Sequence, residues 1–418
     1  MQTNTLHHPE LTRTYVGCDS HQNTHTFVFL TCFHKKLGEI TIGSAPSEFP
    51  KFLKQAKKYL QPDTEFVFGF EDVTAYGRAF VKFLVERGYL VKHVNAILVA
   101  GVRNTTLHKT DSYDAECCAK ILINEFDKLP IATPQDKYWT LSTLVTRRNG
   151  ITKNNVGVKN SLHHLLAENY PHYKTFFSSV IRDSALAFYE KYPAPHYLEN
   201  VTVDELAEFL HSASKGRLST TKAQLILSTV KRDRVQTTEF QDTRDFNIKS
   251  LIRQIKNNLA ELKAIDEEIE KLLEHFDYPL TSIKGIDTLT CAKLISEIGD
   301  INRFPNANKL AKYAGVSPVS FSSGMTQLQM ANERGNRKLN EIFYRIALTS
   351  VIPIGINKAL INPIFYEYYH KKISEGKKKN QALKCVQRRL VNIVYRVMKD
   401  RRPYENPPLG FVPQDEAG

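Results

Sequence analysis

Three strand-like runs stand close together near the start of the chain, before any helical pattern begins. They are the apolar run that ends in "YVGCDS", then "TFVFLTCF", then "EITIG". Links this short join only antiparallel neighbours, so the three runs form a meander. The pattern then changes: residues 48 to 60 read as a helix, "EFVFGFE" as a buried strand, residues 75 to 87 as a helix, "YLVKHV" as a strand, and a further helix follows. Strands separated by helices are crossover units, which are parallel and right-handed. A meander that continues into parallel crossovers predicts a mixed α/β sheet of the ribonuclease-H-like kind.

Beyond residue 131 helical periodicity replaces the strand signal. Ile248, Ile255, Leu262, Ile269 and Phe276 recur every seven residues, with Leu251, Asn258, Ile265 and Leu272 three places on. Four such repeats predict a long coiled-coil helix with polar Asn258 in its seam. Its partner is either the helical stretch from about 137 to 168 or the same helix of a second subunit. A compact helical segment begins near 278, where Pro279 and Gly285 punctuate the chain and Asp287 is placed to cap a helix. Its "KGID" turn reads either as a plain helical turn or as a helix-hairpin-helix whose backbone amides hold phosphate. The expected organisation is 1–130 α/β, 131–277 helical and coiled-coil, 278–402 helical, and 403–418 a tail.

Composition narrows the class. Six cysteines occur without a CxxC pair, which argues against structural zinc and a disulfide framework. No apolar run approaches the roughly 20 residues of a membrane span, and the N-terminus lacks a signal-peptide pattern. A cytoplasmic, non-membrane protein is expected. The net charge of +13 points to a polyanionic partner. Between Lys371 and Arg402 twelve Lys/Arg stand against Glu375 and Asp400, so this one segment holds most of the excess.

Four carboxylates in the first segment stand where the predicted sheet would gather them. Asp19 closes the first strand, Glu71 ends "FVFGFE", and Asp111 and Asp114 lie in "HKTDSYDAECCAKIL", three apart and so on one helix face. Singly, each has an ordinary role as turn, cap or solvated residue. Together they would repel one another unless a cation neutralised them. Hard oxygen donors suit Mg²⁺, and ions in such a setting stabilise attacking and leaving oxygens in phosphoryl transfer.

The combination of "GCDSHQNTH", "GFED" and "HKTDSYDAECCAKIL" resembles the DEDD-type transposases of bacterial insertion sequences and the related Piv-like DNA invertases. Residues 282 to 345 are similar to the second domain of that family, through "SIKGIDTLTCAKLISEIGD", "RFPNANKLAKYAGVSP", "SSGMTQ" and "RGNRKLNEIF". The resemblance implies a RuvC-like domain in which Asp19, Glu71, Asp111 and Asp114 hold Mg²⁺. It also implies a transposase domain with Ser323 as nucleophile, forming a covalent phosphoserine link to DNA. Donor and target DNA, a noncoding bridge RNA as guide, and a homo-oligomer (a dimer, and a tetramer at synapsis) are implied partners. Asn340 departs from the family, where arginine is common. From the residues alone, Ser317, Ser320, Ser322 and Ser323 share one Gly/Ser/Pro loop, and Ser322 is a close rival to Ser323 as nucleophile.

The C-terminal stretch reads as an amphipathic helix with Leu383, Val386, Leu390, Ile393, Val394 and Val397 inward. Lys377, Lys378, Lys379, Arg388 and Arg389 are candidate nucleic-acid contacts, and Arg147 and Arg148 form a weaker second group. Three other readings compete. A hydrolytic nuclease would use the same carboxylates to activate water; an architectural protein would bind without cutting; a sugar-kinase-like ATPase would need a Gly-rich phosphate loop that the sequence lacks.

Overall fold

The computed structural model describes residues 9–405 apart from 74, 104–109, 133–135, 318, 324–325, 331–334, 354 and 356–358, and describes backbone alone at 97, 103, 136, 319–323 and 326–330. The elements run β1 (Arg13–Ser20), β2 (Thr24–Leu30), β3 (Lys36–Gly43), α1 (Phe49–Ala56), β4 (Glu65–Phe70), α2 (Arg78–Val85), β5 (Leu90–His93), α3 (Ala96–Arg103) and α4 (Asp111–Asn124). Then come α5 (Asp136–Asn169), α6 (Asp183–Lys191), α7 (Val203–Ala213), α8 (Thr220–Asp233), α9 (Gln241–Leu273), α10 (Thr288–Ile298) and α11 (Ala307–Tyr313). The chain continues through β6 (Val319–Ser323), β7 (Thr326–Met330), α12 (Arg337–Val351), α13 (Pro363–Ser374) and α14 (Lys379–Asp400).

Contacts divide the chain into two compact units. One takes the chain up to Thr140 together with Ile298–Arg337 and Arg388–Lys399. The other takes Leu141–Glu297, Lys338–Gln387 and the chain from Asp400. Segments after Glu297 thus contribute to both.

The first unit is built on a five-stranded sheet of order β3-β2-β1-β4-β5. Strands β1, β2 and β3 pair antiparallel, and β1–β4 and β4–β5 pair parallel. This is the mixed α/β sheet, in the ribonuclease-H-like order, that the strand and helix sequence predicted. One sheet face is a phenylalanine core: Phe27, Phe29, Phe68 and Phe70 pack against Phe49 and Phe52 of α1 and Phe80 of α2. The Phe27 and Phe52 rings lie 4.1 Å apart, and Phe49 meets Phe80 edge-on at 4.5 Å.

Helix α4 covers the opposite face, and its approach is unusually close. A Cβ added to Gly17 would lie 2.1 Å from the Ala115 carbonyl oxygen and 2.4 Å from the Ala119 amide nitrogen. Only glycine fits under a helix backbone at that distance. Side chains alternate along β1, so Asp19 emerges on the same face as Gly17, two residues closer to the strand end.

Several elements depart from the expected bounds. Helix α2 starts at Arg78 rather than 75, because the Asp72 carboxylate accepts from the Ala75 amide (2.7 Å) and the Gly77 amide (3.4 Å), which holds this stretch as a turn. Helix α9 ends at Leu273, short of Phe276; Pro279 lies just beyond, and Phe276 is buried from the turn instead of the helix. The segment after 278 is not wholly helical: β6 and β7 pair antiparallel, with Ser323 opposite Thr326. Ser320, Ser322 and Ser323 are therefore strand residues rather than loop residues, and only Ser317 precedes the strand. Serine and glycine mark a hairpin turn as readily as an irregular loop.

The second unit is helical. Its core joins Leu162, Leu166 and Tyr170 to Phe188, Leu206, Ile226, Ile248, Ile252 and Ile255. Helix α9 runs antiparallel to α5: Asn258 Nδ2 donates to Asn155 Oδ1 at 2.7 Å, Gln254 faces Asn154, Arg147 meets Glu261 and Arg148 meets Asp266. Of the two partners open to the polar seam residue, Asn258 thus has the one within its own chain. Asp287 caps α10 by accepting from the Thr290 amide at 2.7 Å. The six cysteines are free, four of them buried. No helix among the described residues is long and apolar enough to cross a membrane.

The Gly17 contact predicts that Gly17→Ala destabilises the sheet unit by about 2–3 kcal/mol. The measurement is the shift of its urea unfolding transition.

Candidate metal centre

The site forms where β1 and β4 end beside the first turn of α4. Cys18 is in register with Phe70 across the parallel pair, so Asp19 and Glu71 leave neighbouring strand ends together. Helix α4 begins at Asp111 because Thr110 caps it, its hydroxyl accepting from the Tyr113 amide at 3.2 Å. Asp111 and Asp114 both fall in that first turn, where the helix dipole favours negative charge. The close packing at Gly17 then sets this turn over the end of β1.

The grouping has an electrostatic cost. Burial pushes the Asp19 carboxyl above its usual range; the charges of Asp114 and Asp111 push it the same way, and His21 opposes them. Asp114 is buried at 8% exposure, whereas the Asp111 side chain is 55% exposed. Two buried thiols lie near the carboxylates, Cys118 on the α4 side of the sheet and Cys18 in the phenylalanine core on the other. Burial pushes Cys118 up to about 12, with Glu71 and Asp19 adding to the effect, and raises Cys18 as well. Cys118 donates to the Gly69 carbonyl at 3.3 Å.

One site residue carries no expectation from sequence. His21 Nε2 lies 3.1 Å from Asp19 Oδ2 and 3.3 Å from Asp111 Oδ1. The donor atoms of Asp19, His21 and Asp111 all fall within 4.8 Å of one another. His21 sits in the tight β1–β2 connection, its amide donating to the Thr24 carbonyl at 2.8 Å. The available signal was its place two residues after Asp19, at the strand end.

This donor set fits a divalent cation. Carboxylate and imidazole donors converge from two separate elements, and Asp19 is held where its negative charge is disfavoured without a positive neighbour. Asp19, Asp111 and Asp114 come together here, and Glu71 stands at the adjacent strand end.

The other expected residues are placed differently. Ser323 ends β6, and its side chain lies outside the described residues, as do Gly324 and most of the 403–418 tail. Lys377, Lys378 and Lys379 are exposed at the start of α14. Arg388 is half-buried and donates to Asn392 and to Asn308, and burial lowers its pKa. Arg389 is half-buried as well. Arg147 and Arg148 pair with Glu261 and Asp266, linking α5 to α9.

A ribonuclease-H-like sheet with clustered carboxylates at the ends of β1 and β4 and the start of α4 is the architecture of a DEDD transposase. Comparison with known proteins agrees with it. Residues 16–171 match the IS110-type DEDD transposase model, and residues 277–370 match the model described as "Transposase IS116/IS110/IS902 family". A protein of insertion element IS116 from Streptomyces clavuligerus is 26% identical over 303 residues, 72% of this chain and 73% of that one. A protein of insertion element IS900 from Mycobacterium paratuberculosis is 23% identical over 299 residues, 71% of this chain and 73% of its own. The pilin gene-inverting protein of Moraxella bovis is 28% identical over 135 residues, 32% of this chain and 40% of that protein. The chain belongs to the IS110/IS116 family of insertion-sequence transposases.

The raised Asp19 carboxyl makes a prediction about the metal-free protein. The folded state holds a proton on Asp19 more tightly than the unfolded chain does, so ionising it costs stability. That cost sets in as pH rises from the ordinary aspartate range and is complete above the folded value. At neutral pH in chelator, Asp19→Asn is expected to unfold at a higher temperature than the unaltered protein. The difference should vanish in strong acid, as read by calorimetry.

Proposed function

We propose that this chain is a DNA recombinase that moves an insertion sequence by cutting and rejoining strands through a covalent phosphoserine. The observation that carries the proposal is the convergence of Asp19, Asp111 and Asp114 in a chain that matches both transposase segments. Ser323 Oγ forms a bond to the phosphorus of a DNA phosphodiester. The bond from that phosphorus to one deoxyribose oxygen breaks, and the oxygen departs with a proton as a free hydroxyl. A hydroxyl from the other DNA then attacks the phosphoserine, reseals the strand and returns the serine, so no nucleotide is hydrolysed.

Asp19, Glu71, Asp111 and Asp114 would hold Mg²⁺, which when bound supplies charge neutralisation at the phosphate and a lower hydroxyl pKa. Asp114 is buried on the inner side of this group, and Asp111 is its solvent-exposed member. Donor and target DNA are the substrates, and a noncoding bridge RNA selects them. Exchange of two duplexes calls for a dimer, and for a tetramer at synapsis. Lys377, Lys378 and Lys379 are free to meet nucleic-acid phosphates; the arginines at 147, 148 and 388 are engaged within the fold.

Ser323→Ala is expected to abolish the covalent protein–DNA adduct and to lower strand exchange by about 10⁴-fold or more, as is Asp19→Ala for exchange. Ser322→Ala should retain the adduct. Cleavage that leaves free ends and is indifferent to Ser323 would instead mark a hydrolytic nuclease. Alanine at Lys377, Lys378 and Lys379 together should weaken binding evenly across sequences. It should also reduce the slope of log affinity against log salt by roughly 2–3, measured by fluorescence anisotropy.

A further inference from the structure

His21 has no part in the serine chemistry, yet it is held at the mouth of the carboxylate site. With metal–ligand bonds of about 2.1 Å, neighbouring donors around one octahedral ion stand about 3.0 Å apart. The His21 Nε2 distances of 3.1 Å to Asp19 Oδ2 and 3.3 Å to Asp111 Oδ1 match that spacing on both sides. The ring nitrogen, which shares a hydrogen bond with Asp19 in the absence of an ion, thus stands beside both oxygens at the separation of adjacent donors, and all three donor atoms lie within 4.8 Å of one another. The hairpin turn that fixes the His21 backbone by its amide bond to the Thr24 carbonyl keeps the ring near them, and the ring is half-exposed to solvent.

We propose that His21 is a nitrogen ligand to the cation held by Asp19 and Asp111, and that it turns the site toward Mn²⁺ relative to Mg²⁺. This rests on the metal-centre reading above and adds to it the identity of a ligand and a preference among ions. An all-carboxylate site is made of hard oxygen donors, which suit Mg²⁺; imidazole is a softer donor that transition ions accept and Mg²⁺ takes up poorly. Replacing one oxygen by nitrogen therefore strengthens Mn²⁺ binding with little gain for Mg²⁺. His21 also offers the site a neutral donor, so the bound ion keeps more net positive charge to offer a phosphate than it would with a fourth carboxylate in that place.

The test uses the full-length protein with Mn²⁺ and Mg²⁺ alone. Pulsed electron paramagnetic resonance of bound Mn²⁺ is expected to show ¹⁴N modulation that disappears in His21→Gln. Calorimetric titration is expected to show Mn²⁺ affinity falling about tenfold in that variant while Mg²⁺ affinity changes by less than about threefold. Asp19→Asn serves as the control for the site itself. Mn²⁺ binding that depends on Asp19 but lacks ¹⁴N modulation, or equal losses for both ions in His21→Gln, would overturn the role of His21 and leave the metal centre standing. Mn²⁺ and Mg²⁺ affinities both indifferent to Asp19→Asn would overturn the metal centre as well.

Discussion

Everything at the candidate metal centre depends on how near α4 comes to β1. A helix backbone rests directly on Gly17, with no side chain between them, and this contact fixes both the height and the axial position of the helix. Because α4 runs antiparallel to β1, its first turn arrives where the strand ends. Asp111 and Asp114 then meet Asp19. A bulkier residue at 17 would lift the helix and separate the carboxylates, so the geometry of the site is an outcome of packing several residues away. The phenylalanine core on the other sheet face supplies the rigid backing against which that packing is set.

The same arrangement is costly until it is used. Asp19 lies where burial and two neighbouring carboxylates disfavour its charge, with the His21 ring 3.1 Å away acting in the opposite direction. Active sites commonly hold such unfavourable groupings, because the charge that destabilises the resting fold is what binds the ion. Asp72, one residue beyond Glu71, is spent on local structure. It anchors the turn before α2, where a Cβ on Gly77 would lie 2.0 Å from the Asp72 carbonyl oxygen.

How much of this could be read beforehand follows from what each signal encodes. The order of strands and helices specifies the sheet because connection length limits pairing, and the strand-end positions of Asp19 and Glu71 follow from it. The acidic pair of α4 was legible from its spacing of three. His21 was not, since a histidine in a polar turn has no pattern of its own until the fold brings Asp111 beside it. Arg147 and Arg148 read from sequence as a basic group for nucleic acid, and composition cannot show that Glu261 and Asp266, more than a hundred residues away, face them. The serines were placed in a loop because hairpin strands as short as β6 and β7 offer too few residues for alternation to show.

The amide pair between Asn155 and Asn258 has a mechanical meaning. Two apolar helix faces slide past one another at little cost, since one hydrophobic contact replaces another. A hydrogen-bonded pair of amides set among them cannot, because a displacement of one helical turn, about 5.4 Å, would leave both without their partner. With the two ion pairs further along the same helix pair, it works as a pin through two bars lying side by side. A push applied along α5 is passed to α9 as motion rather than lost as slippage.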